Sequence, residues 1–355
     1  MSDQTAIVST DQNTALAAIG QIANGYAAAG VFDDYRSRRA ANTLRRQRAD
    51  LDLFARFLEG IQHQTTGDEL QSSPDAWRGI SWGLIQGFVG WMQRQGYAVG
   101  SINVRLSTVK KYAALARQAG AISHEEHAGI KAVTGFTHSD GKHMDEQRSA
   151  AELPTRKGVK KAESVTLTKQ QRHALKHQPD SNQGRRDTLL MCLLLDHGLR
   201  CGEVALLKVR DFNLTDGTFT FRRPKVDKVQ THTLTPDALR AARAYFNAGD
   251  APLAADAPLL RSSRKDGSLT AGRMTERAIT KRVKTLGEDI GIHGLSAHDC
   301  RHSWATNAAL HKTPLNDLIH AGGWNSPAMP MRYIDAAKIA NQGVMLGTDE
   351  PDATP

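Results

Sequence analysis

The stretch "VRDFNLTDGTFTFRRPKVDKVQTHTLT", residues 209–235, decides the fold class. It contains three short segments, "VRDFNL", "TFTFRRP" and "VQTHTLT", separated by polar turns. The Asp216-Gly217 pair between alternating runs is a hairpin signal, because glycine supplies the backbone angles that a tight turn needs. On both sides of this β region the apolar residues recur at helical spacing. Upstream, Thr168 and Gln171 carry a capping-box signature, and the apolar run Leu189–Leu195 is closed by Gly198. Downstream, helical patterns cover 236–247, 273–289, 297–311 and 314–321, with another near Tyr333. Residues 164–340 therefore read as a mainly α domain holding a small antiparallel β-sheet, an α+β arrangement.

Working outward, "RSRRAANTLRRQRADLDLFARFLEG" (36–60) sets Leu44, Leu51, Phe54, Phe57 and Leu58 at near-helical intervals, with Asn42 as N-cap and Gly60 as stop. A second pattern runs from Trp82 to Met92. A third starts at a Ser101 cap and passes through Leu106, Val109 and Tyr112, and a short helix is expected over 123–133. Together 33–134 read as an all-α domain. Residues 1–32 are poor in charge and suggest a loosely ordered arm. Periodicity is lost over 135–163, which reads as a basic interdomain linker carrying Arg156, Lys157, Lys160 and Lys161. An acidic tail closes the chain at 341–355.

The 355 residues include 46 Lys+Arg against 37 Asp+Glu, a formal charge of +9. Such a surplus hints at a polyanionic partner without proving one. The greasiest stretch found, Leu189–Leu195, is far short of the ~20 residues a membrane span needs, and no charged n-region precedes an apolar block near the start. Cys192, Cys201 and Cys300 fit neither a disulfide framework nor structural zinc. The expectation is a soluble protein of the cytoplasm, without a membrane or metal partner.

The C-terminal half holds a particular set of side chains. "DHGLRCGEVALL" places Arg200 just past a helix-ending glycine, with Glu203 three residues on. "RRPKVDKVQ" puts Lys225 and Lys228 at a turn, and "SAHDCRHSWAT" puts His298 and Arg301 on one helix face. In "HAGGWNSPAMPMRYID", Tyr333 follows Trp324 by nine residues. Singly, these have ordinary roles: a surface ion pair, solvated lysines, a structural histidine, a half-buried aromatic. Together they suit metal-free cleavage of a phosphodiester. Arginine forks match two phosphate oxygens and balance charge on the pentacoordinate phosphorus. A phenol can be the nucleophile when cations favour its ionised form, and lysine or histidine can protonate the leaving oxygen.

In order and spacing these motifs resemble the tyrosine recombinases of the phage-integrase family. "GLRCGE" resembles the first arginine box, "PKVDKVQTHTL" the β-hairpin lysine segment, "HDCRHSWAT" the H-x-x-R box and "GGWNSPAMPMRY" the closing segment. The resemblance assigns Arg200, Lys225, His298, Arg301, Trp324 and the nucleophile Tyr333 to catalysis, with Glu203 as support and Lys228 as the alternative lysine. Trp324 stands where histidine is commoner and is read as a buttress. Pro327 and Pro330 precede Tyr333, so its helix is expected to start late, with Tyr333 in the first turn. "NTLRRQRADLDLFARFL" and "SINVRLSTVKKY" resemble the family's helical core-binding domain.

What the resemblance implies is a site-specific recombinase that cuts and rejoins DNA through a 3′-phosphotyrosyl link, with no cofactor. Its partners would be double-stranded DNA with core sites, further copies forming a tetramer on DNA, and an accessory directionality factor. DNA contacts are expected from Arg45, Arg46, Arg105, Lys110, Lys111 and the linker cations, with strong salt sensitivity. Two rival functions share these residues: type IB topoisomerase-like relaxation of DNA, and a catalytically silent DNA-binding protein.

Overall fold

The structure, a computed structural model, describes residues 4–152 and 165–337. Arg156, Lys157, Lys160, Lys161 and the tail at 341–355 lie outside the described residues. The chain divides into two units, Met1–Lys160 and Lys161–Pro355.

Among the described residues, the first unit is built of helices: α1 (Gln4–Ser37), α2 (Ala41–Glu59), α3 (Gly67–Ser72), α4 (Trp82–Arg94), α5 (Val99–Gln118), α6 (His124–Ala132) and α7 (His138–Ala150). Leu51, Phe54 and Leu58 of α2 meet Ile85, Phe88 and Met92 of α4 and Ile102, Val109 and Tyr112 of α5 in one buried cluster. Each such side chain contributes on the order of 1.5–3 kcal/mol on burial. Phe54 and Phe88 pack with ring centroids 5.0 Å apart, and the buried Trp77 indole donates to the Leu70 carbonyl at 2.9 Å.

Several local expectations change. The helix α2 ends at Gly60 as read, but Ala40 occupies its N-cap, and Asn42 instead accepts from Arg45 at 3.1 Å. The helix α5 begins at Val99, two residues before Ser101. Residues taken for an arm belong to α1, whose last turns dock through Phe32 against Tyr112. Its Thr14–Ser37 stretch has mean hydropathy 1.3 and is long and apolar enough, by length and composition, to cross a membrane. Alanines and glycines spread that apolar character, which is why no compact greasy run marked it. The expected linker also begins as helix. Thr137 and Asp140 exchange capping hydrogen bonds at the start of α7, Met144 is buried, and Arg148 donates to the Gln93 carbonyl at 2.6 Å.

The second unit runs α8 (Lys169–Lys176), α9 (Asn182–Leu195), α10 (Cys201–Leu206), β1 (Phe212–Asn213), β2 (Thr218–Arg223), β3 (Lys228–Thr233), α11 (Pro236–Asn247), β4 (Arg261–Ser263), β5 (Leu269–Arg273), α12 (Glu276–Glu288), α13 (Ala297–Leu310), α14 (Leu315–Gly322) and α15 (Ala328–Ala337). The molecule is mainly α with small antiparallel sheets. Strands β1, β2 and β3 pair in sequence order, with Phe219 opposite His232 and Arg223 opposite Lys228. The β4–β5 hairpin had no alternating pattern to announce it, although Asp266-Gly267 makes its turn and Gly267 has φ 86°. Leu189–Leu195 of α9 form the centre of the core. The Thr168–Gln171 capping box is present, with bonds of 2.9 and 3.1 Å.

Two histidines are enclosed beside this sheet. His197 and His232 meet Phe219 and Phe221 edge-on, each pair at 4.9 Å. Burial, with smaller contributions from nearby cations, pushes His197 down to about 3 and His232 down to about 4. Both fold as neutral rings, whereas the unfolded chain takes up protons below the ordinary 6.5. Their stabilising contribution is therefore intact above pH 6.5 and is lost as pH falls toward the folded values. We expect several kcal/mol of stability (order of magnitude) to disappear between about pH 6.5 and 4. Thermal melts of the wild type and of His197→Phe across this range check the share of His197: a melting temperature with equal pH slope in both would remove that ring as a cause.

Candidate active site

The site is built where the turn after α9, the first turns of α10 and α13 and the end of α14 come together in the second unit. Helix α9 stops at Leu195, and Gly198 turns the chain with φ 61°, which leads Arg200 into the first turn of α10. A Cβ at Gly198 would overlap the Trp304 indole, so glycine is needed both for its backbone angle and for that contact. The Glu203 carboxylate is buried and holds Arg200 twice, accepting from its Nη1 at 2.7 Å and from its backbone N–H at 2.8 Å. An ionised acceptor makes both bonds strong ones. The Arg200 fork is thereby fixed while a quarter of its side chain stays open to solvent.

Ser296 and Asp299 form a capping box that starts α13, with Ser296 N–H donating to Asp299 at 2.8 Å. One turn in, Arg301 is buried and donates from Nη1 to the Gly198 carbonyl at 2.6 Å and from Nη2 to the Gly322 carbonyl at 2.5 Å. It thus ties the turn before Arg200 to the end of α14. Its guanidinium carbon lies 4.4 Å from the centroid of the Trp324 ring. Trp324 in turn stacks on Trp304 at 6.0 Å. Burial first, then the neighbouring Arg200 and Arg223, push the Arg301 guanidinium below its ordinary value. An anion brought to this point relieves that strain of like charges.

Tyr333 lies on α15, 4% exposed, against Trp324 at 5.8 Å and edge-on to His302 at 4.9 Å. Its helix starts at Ala328, earlier than expected, so Tyr333 is in the second turn. Pro330 sits in the first turn, where its missing N–H has no intrahelical partner to lose. Burial raises the Tyr333 phenol above its ordinary value, and Arg301 and Arg200 pull it back down. His298 is exposed and meets His302 at 4.8 Å. Desolvation lowers its imidazole, Asp299 opposes this, and Arg301, Arg200 and Lys225 lower it further. Lys225 occupies the turn between β2 and β3 and is exposed, while Lys228 is the first residue of β3.

Arg200, Glu203, Arg301, Trp324 and Tyr333 are thus packed in one place, and the charge of Lys225 reaches it at His298. Two residues were missed. His302 meets the Tyr333 ring edge-on at 4.9 Å, and Arg223 is buried beneath Glu203, donating to it at 2.8 Å. The period of the strand could have found Arg223, since Phe219, Phe221 and Arg223 alternate onto one buried face. In the first unit, the residues expected on DNA are partly committed elsewhere. Arg46 and Arg105 flank the buried Asp50 at 2.6 and 4.0 Å. The Lys110 ammonium caps α6 by donating to the carbonyls of Lys131 and Val133 at 2.8 and 2.6 Å. Lys111 lies over the Tyr35 ring at 4.9 Å, and Arg45 is exposed.

Residues 165–339 match the profile described as the phage integrase family. A tyrosine recombinase XerC from Roseiflexus sp. (strain RS-1) is 24% identical over 292 residues, covering 79% of this chain and 80% of that one. Tyrosine recombinase slr0733 from Synechocystis is 29% identical over 217 residues, 60% of either chain. Among solved structures, the Tn1549 transposon integrase in complex with circular intermediate DNA has a similar fold, with TM-score 0.57 at 17% identity over 86% of this chain and 94% of that one. A lambda integrase dimer bound to a core site is alike in fold as well, with TM-score 0.54 at 15% identity over 90% and 96% of the two chains. The family profile overlies the very turns and helices that assemble the arginines around Tyr333, and this chain belongs to the phage integrase family, as a tyrosine-type site-specific recombinase.

Proposed function

We propose that the chain cuts and rejoins double-stranded DNA at specific core sites through a 3′-phosphotyrosyl link to Tyr333. The observation that carries this reading is the packing of Tyr333 against Trp324, whose ring lies under the Arg301 guanidinium, with Arg301 and Arg200 both pulling the phenol down against the burial that raises it. In cleavage, the Tyr333 oxygen bonds to phosphorus as the bond from phosphorus to the 5′ oxygen breaks. The phenolic proton passes to His298, and the Lys225 ammonium gives a proton to the departing 5′ oxygen. Arg200 and Arg301 balance the charge that develops on the non-bridging oxygens, and Trp324 backs the Arg301 plane. One phosphoester replaces another, so rejoining by a 5′-hydroxyl needs no nucleotide, and the cations supply the charge balance without a metal. Because burial holds the phenol above its ordinary value, ionisation is coupled to the arrival of the phosphate and of His298.

Recombination by this route exchanges strands between paired sites, so the working form is a tetramer on DNA, in the cytoplasm on the nucleoid, with an accessory factor able to set direction. Arg45, Arg46, Arg105, Lys110, Lys111 and the linker cations Arg156, Lys157, Lys160 and Lys161 are the candidates for phosphate contacts. The test is covalent capture. Nicked duplexes from a random-sequence library, incubated with the protein and run on denaturing gels, should yield a protein-linked strand. Absence of any adduct would leave the silent DNA-binding alternative. Relaxation of a supercoiled plasmid without a captured site would favour the topoisomerase alternative.

The two lysines of the hairpin separate in this scheme. Lys225→Ala is expected to slow cleavage by about 10²–10⁴-fold, the usual worth of a positioned acid, with Lys228→Ala close to the wild type. Single-turnover cleavage rates decide, and the opposite ranking would move the acid to Lys228.

A further inference from the structure

The side chain of Arg223 is fully buried, and all three nitrogens of its fork are engaged. Nη1 donates to Glu203 Oε2 at 2.8 Å, Nη2 to the Ala321 carbonyl at 2.6 Å, and Nε to Gln230 Oε1. Gln230 passes the grip on, donating from Nε2 to the His320 carbonyl at 2.6 Å. Arg301 takes the next carbonyl, that of Gly322. The last three carbonyls of α14 therefore each receive a donor from elsewhere in the unit, two of them cationic, as the negative end of a helix dipole favours. Directly after them come Gly323, in the left-handed region at φ 60°, and Trp324. A Cβ on Gly323 would overlap the Arg223 side chain at Cδ and Nε.

Glu203 is the second hinge of this arrangement. Its Oε1 holds the Arg200 fork, and its Oε2 is shared by the Arg200 backbone N–H and Arg223. Without Arg223, that oxygen loses its cationic fork, and the carboxylate is free to turn and carry the Arg200 fork with it. The Gly322–Trp324 turn loses its anchor in the same stroke.

We propose that Arg223 is a positioning residue for the phosphate side of the reaction: through Glu203 it sets the Arg200 fork, and through the end of α14 it fixes the turn that presents Trp324. It touches no DNA itself. The role rests on the cleavage reaction proposed above, and goes beyond it by assigning a residue that the sequence motifs pass over. Lysine could not substitute, since a point charge cannot reach Glu203, Gln230 and Ala321 at once.

The experiment uses a nicked duplex recovered by covalent capture with the wild-type chain, prepared with either a phosphodiester or a neutral methylphosphonate at the scissile position. Arg223→Met, Arg200→Met and Gly323→Ala are compared with the wild type for DNA affinity and single-turnover cleavage. On the phosphodiester, Arg223→Met should cleave about 100-fold more slowly, the scale of an ångström's misplacement, with DNA affinity unchanged. On the methylphosphonate, which carries one negative oxygen fewer to be balanced, the deficits of Arg223→Met and Arg200→Met should both shrink by about tenfold or more. Gly323→Ala keeps the Arg223 chemistry but displaces it, and should show the same substrate dependence. The Arg223→Met/Gly323→Ala double variant should be no slower than Arg223→Met alone. If Arg223→Met does not fold, Gly323→Ala carries the test by the same comparison of substrates. Wild-type rates in these variants, or an equal deficit on both substrates, would overturn the positioning role. No adduct from the wild-type chain on any duplex overturns the recombinase reading itself, and this role with it.

Discussion

Tyr333→Phe is expected to abolish the covalent protein–DNA adduct completely while DNA binding persists. The substitution removes one oxygen, the only atom of the ring able to bond to phosphorus. The contacts that place the ring, with Trp324 at 5.8 Å and His302 at 4.9 Å, belong to its carbon skeleton and survive in phenylalanine. Melting temperature and DNA affinity should therefore stay close to the wild type, and the loss falls on chemistry alone. The measurement is the denaturing gel on captured nicked duplexes, alongside a mobility-shift titration. An adduct that persists in Tyr333→Phe would place the nucleophile elsewhere.

The second large effect is expected at Arg301. Its two terminal nitrogens hold the carbonyls of Gly198 and Gly322 at 2.6 and 2.5 Å while its plane lies on Trp324. Arg301→Lys offers a single ammonium that cannot reach both carbonyls and remain over the ring. Desolvation and the charges of Arg200 and Arg223 already push the arginine down. The same surroundings act on a lysine that starts lower, at about 10.4, so part of its charge is lost near neutral pH. Cleavage should fall by about 10²–10³-fold, as when one preorganised donor is removed from a charge-stabilising site. Stability should fall too, by about 1–3 kcal/mol for a buried carbonyl left without a donor. Single-turnover rates at pH 7 and at higher acidity separate the two causes: the lysine variant should recover some activity as pH falls. A rate equal to wild type at pH 7 would show that the guanidinium geometry is dispensable.

Much of this was legible because apolar spacing is a direct print of burial. Leu51, Phe54 and Leu58, or Ile85, Phe88 and Met92, follow the helical period and all lie in the core. The boxes of the candidate site stood out for a different reason, since they couple chain reversals to charged residues at set distances. The failures share a physical cause. The helix α7 buries little beyond Met144 and is held by a cap and by Arg148, so no apolar stripe announces it. The helix α1 spreads its apolar character over small residues and docks only near its end. Arg223 hid in the opposite way, as a charge on the inner face of a strand, where its neighbours make burial affordable. For Arg46, Arg105 and Lys110 the sequence shows a cation but not the oxygen it already holds within the fold.

The carbonyl-gripping pattern has a consequence for genetics. Gly198 and Gly323 carry no side chain, yet each lies at the junction where an arginine is pinned, and each has a left-handed backbone that other residues enter at a cost of about 1–2 kcal/mol. A blind search for inactive chains should therefore return these two glycines beside the arginines and Tyr333. Such a harvest would look like scattered folding defects, but would trace the outline of a single anion cradle drawn in main-chain atoms.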